Sequence, residues 1–134
     1  MGGWFALLAA RALHKSGETE RLKGLVLLAP AVDFTEVLLF EKMPASARTE
    51  LLENGVWFHT SAHEPSRTPI TRQLIEEGRR HLLLGDAIHA HAPVHILQGM
   101  QDKYVPWTHA MLLAEKITAD RVNLTLIKHG DHRL

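Results

Sequence analysis

Met1-Gly2-Gly3-Trp4-Phe5-Ala6-Leu7-Leu8-Ala9-Ala10 is a glycine lead running straight into an apolar helical stretch. In the turn G-x-S-x-G a serine sits on a strained bend between a strand and a helix, the next residue donates its backbone N–H to a developing oxyanion, and a glycine follows. Met1 and Gly2 fit the last two places, which would put the nucleophile immediately before Met1 and leave the chemistry incomplete within these 134 residues. Taken alone, the same residues also suit a plain start of chain ahead of a buried helix, so the reading depends on what lies downstream.

Working outward, Trp4 to His14 keeps helical periodicity and closes on Lys15-Ser16-Gly17, a basic last turn followed by glycine. After a charged loop, Gly24-Leu25-Val26-Leu27-Leu28-Ala29 is a continuous apolar run bounded by Gly24 and Pro30, which predicts a parallel strand buried on both faces. His95-Ile96-Leu97-Gln98 predicts a second strand and Val122 to Ile127 a third, with a helix over Trp107 to Thr118 entered just after Pro106. The stretch from Ala31 to Ala92 is longer than a plain crossover needs and carries helical segments at Ala45 to Glu53, ended by Asn54-Gly55, and at Ile70 to Leu83. It reads as a helical cap, residues 31–92, inserted into one α/β domain spanning 1–134 with right-handed crossovers.

In open α/β sheets the reactive groups lie beyond the carboxyl ends of the strands. Asp33 follows the first strand, Asp102 the second and His132 the third, the last within Lys128-His129-Gly130-Asp131-His132-Arg133. An aspartate followed by a histidine, downstream of a serine elbow, is the chain order of one known arrangement of the Ser, Asp, His triad.

On Gly55-Val56-Trp57, Arg79-Arg80-His81-Leu82-Leu83, Leu97 to Asp102 with Val105-Pro106-Trp107, and Lys128 to Arg133, the chain resembles the C-terminal part of an α/β-hydrolase-fold serine hydrolase. It is most similar there to the palmitoyl-thioesterase and acyl-glucuronide-esterase branch and its bacterial relatives. The resemblance implies three parallel strands with flanking helices and the helical cap, and an acyl-enzyme reaction on carboxylic esters or thioesters. It implies Asp102 as the acid and His132 as the base, with the Met1 N–H in the oxyanion hole. Asp33 stays open as a rival acid. In the cap, Phe40, Trp57 and Phe58 are candidates for substrate binding, although packing on the sheet would use the same side chains.

The family pattern has five strands before Met1 and a helix after His132. With those ends, the first strand would present an unpaired edge. Of the four serines, Ser16 falls in a helix-ending loop and Ser46, Ser61 and Ser66 in the cap, so no substitute nucleophile is expected and the isolated chain should be inactive. The alternatives are a non-catalytic short protein that binds an acyl ligand or is completed by a partner, and a hydrolase of the same fold with other chemistry, a carbon-carbon hydrolase or a dehalogenase with an aspartate nucleophile.

The composition narrows the partners. Fifteen basic residues against fifteen acidic ones give no formal net charge, which gives no support for a nucleic acid or an anionic membrane surface. The absence of cysteine removes disulfide and thiol chemistry, and no apolar run approaches the roughly 18 residues that span a bilayer. With no visible targeting signal, the default compartment is the cytoplasm. The expected partner is a small-molecule ester or thioester, and the sequence leaves the oligomeric state open. Ten histidines invite a metal reading, above all His89-x-His91 with His81 and His95 nearby. They carry no recognised ligand spacing, so neither a metal nor a cofactor is expected.

Overall fold

The computed structural model describes residues 1–61 and 64–134, and for residues 60–66 no side chain is described. The chain divides into two compact units, one built from 1–32 and 82–134, the other from 33–81. The inserted unit therefore begins later and ends earlier than the span 31–92 read from the sequence.

In the first unit, α1 (Gly2–Lys15) leads into β1 (Leu25–Leu28). Among the described residues, β1 joins two further strands in a parallel sheet of order first, fifth, seventh. In register, Leu27 stands opposite Ile96 on β5 (Val94–Gly99), and Ile96 opposite Leu124 on β7 (Val122–Ile127). Between those two strands, α4 (Trp107–Lys116) gives way to a two-residue strand, β6 (Ile117–Thr118). That strand pairs in parallel with β4 (Ile88–His89). Neither short strand was expected, because two residues carry no readable period.

The three-stranded sheet buries one face. Leu27, Val94, Ile96 and Gln98 point to that side and are almost wholly enclosed, each full apolar burial stabilising by about 1.5–3 kcal/mol. Val26 and Leu28 point the other way and are 70% and 62% exposed, alongside exposed His95 and Thr125. The expectation of a first strand buried on both faces is thus corrected. The strand is apolar on both sides, but among the described residues only its Leu27 side is covered.

The second unit opens with Asp33, in a left-handed conformation (φ 54°), and a π-helical segment Phe34–Phe40. It continues through α2 (Ala45–Asn54), where Gly55 at φ 76° donates its N–H to Leu51 O and ends the helix as the Asn-Gly pair predicts. An antiparallel hairpin of β2 (Val56–Ser61) and β3 (Glu64–Thr71) follows, then α3 (Arg72–Arg79). The expected helix from Ile70 to Leu83 is shorter at both ends. Ile70 is drawn into β3 opposite Trp57, and Thr71 caps α3 by accepting a hydrogen bond from the Leu74 N–H. Met43, Ala47, Leu51, Ile70 and Ile75 form this unit's core, with Leu39, Phe40 and Trp57 packed against it.

Candidate active site

Parallel strands deliver their carboxyl ends to one edge of the sheet, where the loop after β5 lies against the loop after β7, and the start of α1 lies against Pro30 just beyond β1. Met1 caps α1, its carbonyl accepting from the N–H groups of Trp4 and Phe5 at 3.0 and 3.2 Å. The helix start is held close to the end of β1: a Cβ on Gly3 would lie 2.7 Å from Pro30 Cβ, so only glycine permits the approach. Gly2, which occupies the motif position, has open space around it.

The other two loops are zipped together through their backbones. The Met100 N–H donates to Ile127 O and the Gln101 N–H to Gly130 O, both at 2.9 Å. The contact is so close that a Cβ on Gly99 would meet the carbonyl oxygens of Gly130 and Asp131 at 2.4 Å each. This packing brings the Asp102 and His132 loops side by side.

The Asp102 side chain is wholly enclosed. Its Oδ1 accepts from the backbone N–H groups of Tyr104 at 2.8 Å and Val105 at 2.9 Å, and its Oδ2 from Gln98 Nε2 at 3.1 Å. His132 Nδ1 stands 2.8 Å from the same Oδ2. Burial alone would push the carboxyl up, but the bonds from the Val105 N–H, His132, the Tyr104 N–H and Gln98 outweigh it and hold Asp102 below the usual carboxylate range. A carboxylate only accepts hydrogen bonds, so Nδ1 must carry the hydrogen, and in the neutral imidazole Nε2 is then the nitrogen with the lone pair. The imidazole is 44% exposed, with the Tyr104 ring edge-on at 5.4 Å between centroids.

The depressed carboxyl makes stability depend on acidity. Since the folded value lies below the unfolded one of about 3.9, the contribution is complete above that value and fades as pH falls through it toward the folded value. Urea midpoints should therefore show wild type losing more stability between neutral pH and pH 3 than Asp102→Asn does. Equal acid sensitivity of the two proteins would contradict it.

The remaining candidates are placed as follows. Asp33 opens the π-helical segment of the other unit, where its carbonyl accepts from the N–H groups of Glu36 and Val37. Phe40 lies under the Arg79 guanidinium at 4.6 Å and against that unit's core, and Trp57 is packed on the same core. Phe58 stays 44% exposed, with the Arg67 guanidinium 6.0 Å from its ring.

The Ser16 hydroxyl donates to Leu13 O and Glu18, Ser46 lies on α2, and the side chains of Ser61 and Ser66 fall outside the described residues. His91 stacks face to face on His14 at 3.9 Å, with His89 5.8 Å away. His95 Nε2 is 2.8 Å from Thr125 Oγ1. Among the described residues no group of three or more such side chains is arranged to hold a metal ion. No described helix is long and apolar enough to cross a membrane.

Two parts of the site went unread in the sequence. Gln98 interrupts an apolar strand run four residues before Asp102, a signal that was present but was absorbed into the strand. The close approach at Gly99 depends on residues about thirty positions away and has no local signature.

No family model matches the chain. Over 135 residues it is 33% identical to the palmitoyl-protein thioesterase ABHD10, mitochondrial, of Homo sapiens, covering 100% of this chain and 42% of that protein. The Mus musculus protein of the same name is 32% identical over 137 residues, covering 43% of its length. Among solved structures, a putative hydrolase from Agrobacterium vitis S4 superposes with a TM-score of 0.92 at 42% identity, over 99% of this chain and 51% of that one. The alpha/beta hydrolase domain-containing protein 10 from mouse superposes with a TM-score of 0.82 at 31% identity, over 98% and 50%. The chain spans about half the length of these solved relatives and somewhat less of the curated ones.

Proposed function

We propose, from the premise that this chain has the fold of the C-terminal part of an α/β hydrolase, that it supplies the acid and base of a serine hydrolase acting on carboxylic esters or thioesters. The observation that carries the reading is the 2.8 Å contact between His132 Nδ1 and a buried, multiply bonded Asp102 carboxylate, which makes Nε2 the basic nitrogen of the neutral ring. The names of the relatives add the thioester as substrate class.

In the proposed reaction His132 Nε2 takes the proton of a serine hydroxyl at the position before Met1 as its oxygen attacks the acyl carbon. The proton then passes to the departing alcohol or thiol, and a water molecule repeats the sequence to free the acid. Asp102 keeps the hydrogen on Nδ1 and stabilises the imidazolium, and the Met1 N–H faces the oxyanion. Within residues 33–81, Phe40, Trp57 and Phe58 are the side chains proposed for acyl-chain binding.

A fluorophosphonate probe tests this. A polypeptide in which a Gly-x-Ser strand end runs into Met1 should be labelled at that serine and should hydrolyse a palmitoyl thioester, whereas residues 1–134 alone should do neither. Labelling of the 134 residues at one of their own serines would overturn the assignment. Hydrolysis without labelling would point to an aspartate nucleophile in the same fold. A second reading, a non-catalytic acyl-binding protein completed by a partner, draws on the exposed Val26 and Leu28; it predicts no labelling in either form.

A further inference from the structure

We propose that Gln98 is the positioning residue that fixes Asp102 Oδ2 in front of His132, so that a side chain inside the central strand sets the plane of the carboxylate. The inference rests on reading Asp102 and His132 as acid and base. Gln98 is fully buried near the end of β5. Its Nε2 lies 3.1 Å from Asp102 Oδ2, 2.9 Å from Val105 O and 3.1 Å from Gly99 O. All three are acceptors, so the amide nitrogen must occupy that place; the flipped amide would set Oε1 against two carbonyls and a carboxylate.

Packing does not account for a glutamine here. Its Oε1 is buried with no hydrogen-bond partner, a desolvation cost that an apolar side chain of the same shape would avoid. What the amide does supply is a third anchor. Oδ1 is pinned by the loop's own Tyr104 and Val105 N–H groups, which leaves the carboxyl free to pivot about that oxygen. Gln98 approaches Oδ2 from a different element and stops the pivot at the point where Nδ1 meets it. By donating to the oxygen that His132 uses, it also draws charge from that oxygen and tempers its pull on the Nδ1 hydrogen.

Three other titratable groups on the two loops have partners of their own, while the cationic Lys103, Lys128 and Arg133 lie on the same loops. Asp131 Oδ1 accepts from the Arg133 N–H at 2.8 Å, His129 Nδ1 lies 3.5 Å from Gln101 Nε2, and Tyr104 meets the imidazole only through its ring. The side chains bonded to the Asp102 carboxylate are those of His132 and Gln98.

Nuclear magnetic resonance on the folded protein tests the role without a turnover assay. In wild type the side-chain amide signals of Gln98 should shift with the Asp102 titration, at the same midpoint. Gln98→Met keeps length and volume but removes the donor; it should raise the Asp102 midpoint by about one pH unit and speed exchange of the His132 Nδ1 proton. Gln98→Glu sets a second carboxyl against Oδ2 and should raise it further.

A Gln98→Met protein with the wild-type midpoint and Nδ1 signal would overturn the proposal. So would a wild-type Gln98 amide indifferent to Asp102, a measurement that needs no variant to fold. A wild-type His132 without an Nδ1 hydrogen bonded to Asp102 would instead remove the acid–base reading, and the role of Gln98 with it.

Discussion

Replacing His132 with alanine in a polypeptide that carries the nucleophile is expected to cut turnover of a thioester by about a million-fold, the scale seen when a triad base is removed from a well-studied protease. Without the imidazole Asp102 cannot take the hydroxyl proton in its place, because it is buried behind the ring and engaged on both oxygens. Asp102→Ala should cost less, about ten-thousand-fold, since the base remains but loses its tautomer and its counter-charge. The double variant should be no slower than His132→Ala alone. Steady-state rates on the three proteins check this. Losses that multiply, or a His132→Ala enzyme within tenfold of wild type, would mean that the pair does not act as one device.

The second large effect is expected from a residue that performs no chemistry. Gly99→Ala would drive a methyl group into the carbonyl oxygens of Gly130 and Asp131. Both obstacles are backbone, so no side chain can swing aside and the His132 loop itself must move. A displacement near 1 Å at a reacting group costs about a hundred-fold in rate, while overpacking of this kind destabilises by about 1–3 kcal/mol. The expected signature is a rate loss well beyond what the melting temperature suggests. Gly130→Ala should be milder, because the nearest atoms, Ile127 Cγ2 and Cβ and the Gly99 Cα, stand at 3.0–3.2 Å and need give only a few tenths of an ångström. Wild-type kcat in Gly99→Ala would show that the two loops do not depend on each other.

The contrast between these two predictions shows what the sequence made legible. Asp102 and His132 stood out because each is a polar residue just beyond an apolar strand, in an order that a known triad uses. Gly99 differs from any other turn glycine only through residues thirty positions away, and no local pattern encodes that meeting. Gln98 looked like a strand residue because it is one; its second role appears only when the loop folds back over it.

The hairpin of residues 56–71 failed for a different reason. Pro65 and Pro69 argue against a strand, since proline donates nothing to a ladder, and Pro69 followed by an amphipathic run reads as the entry to a helix. Tertiary pairing of Trp57 with Ile70 prevailed over that local signal, and the helix began only at Arg72. The β-prone run Val56-Trp57-Phe58 was the available clue.

The anchors of the Asp102 carboxylate other than His132 come from residues 98 to 105, a single turn of chain, whereas His132 reaches it from thirty positions further on. The acceptor is thus built almost entirely within one short stretch of chain, while its partner is supplied by the loop after the last strand. His132 is in that sense a delivery to a receptacle shaped by residues 98 to 105. Damage confined to the final few residues is expected to leave that receptacle standing and empty, in a protein otherwise sound in its interior.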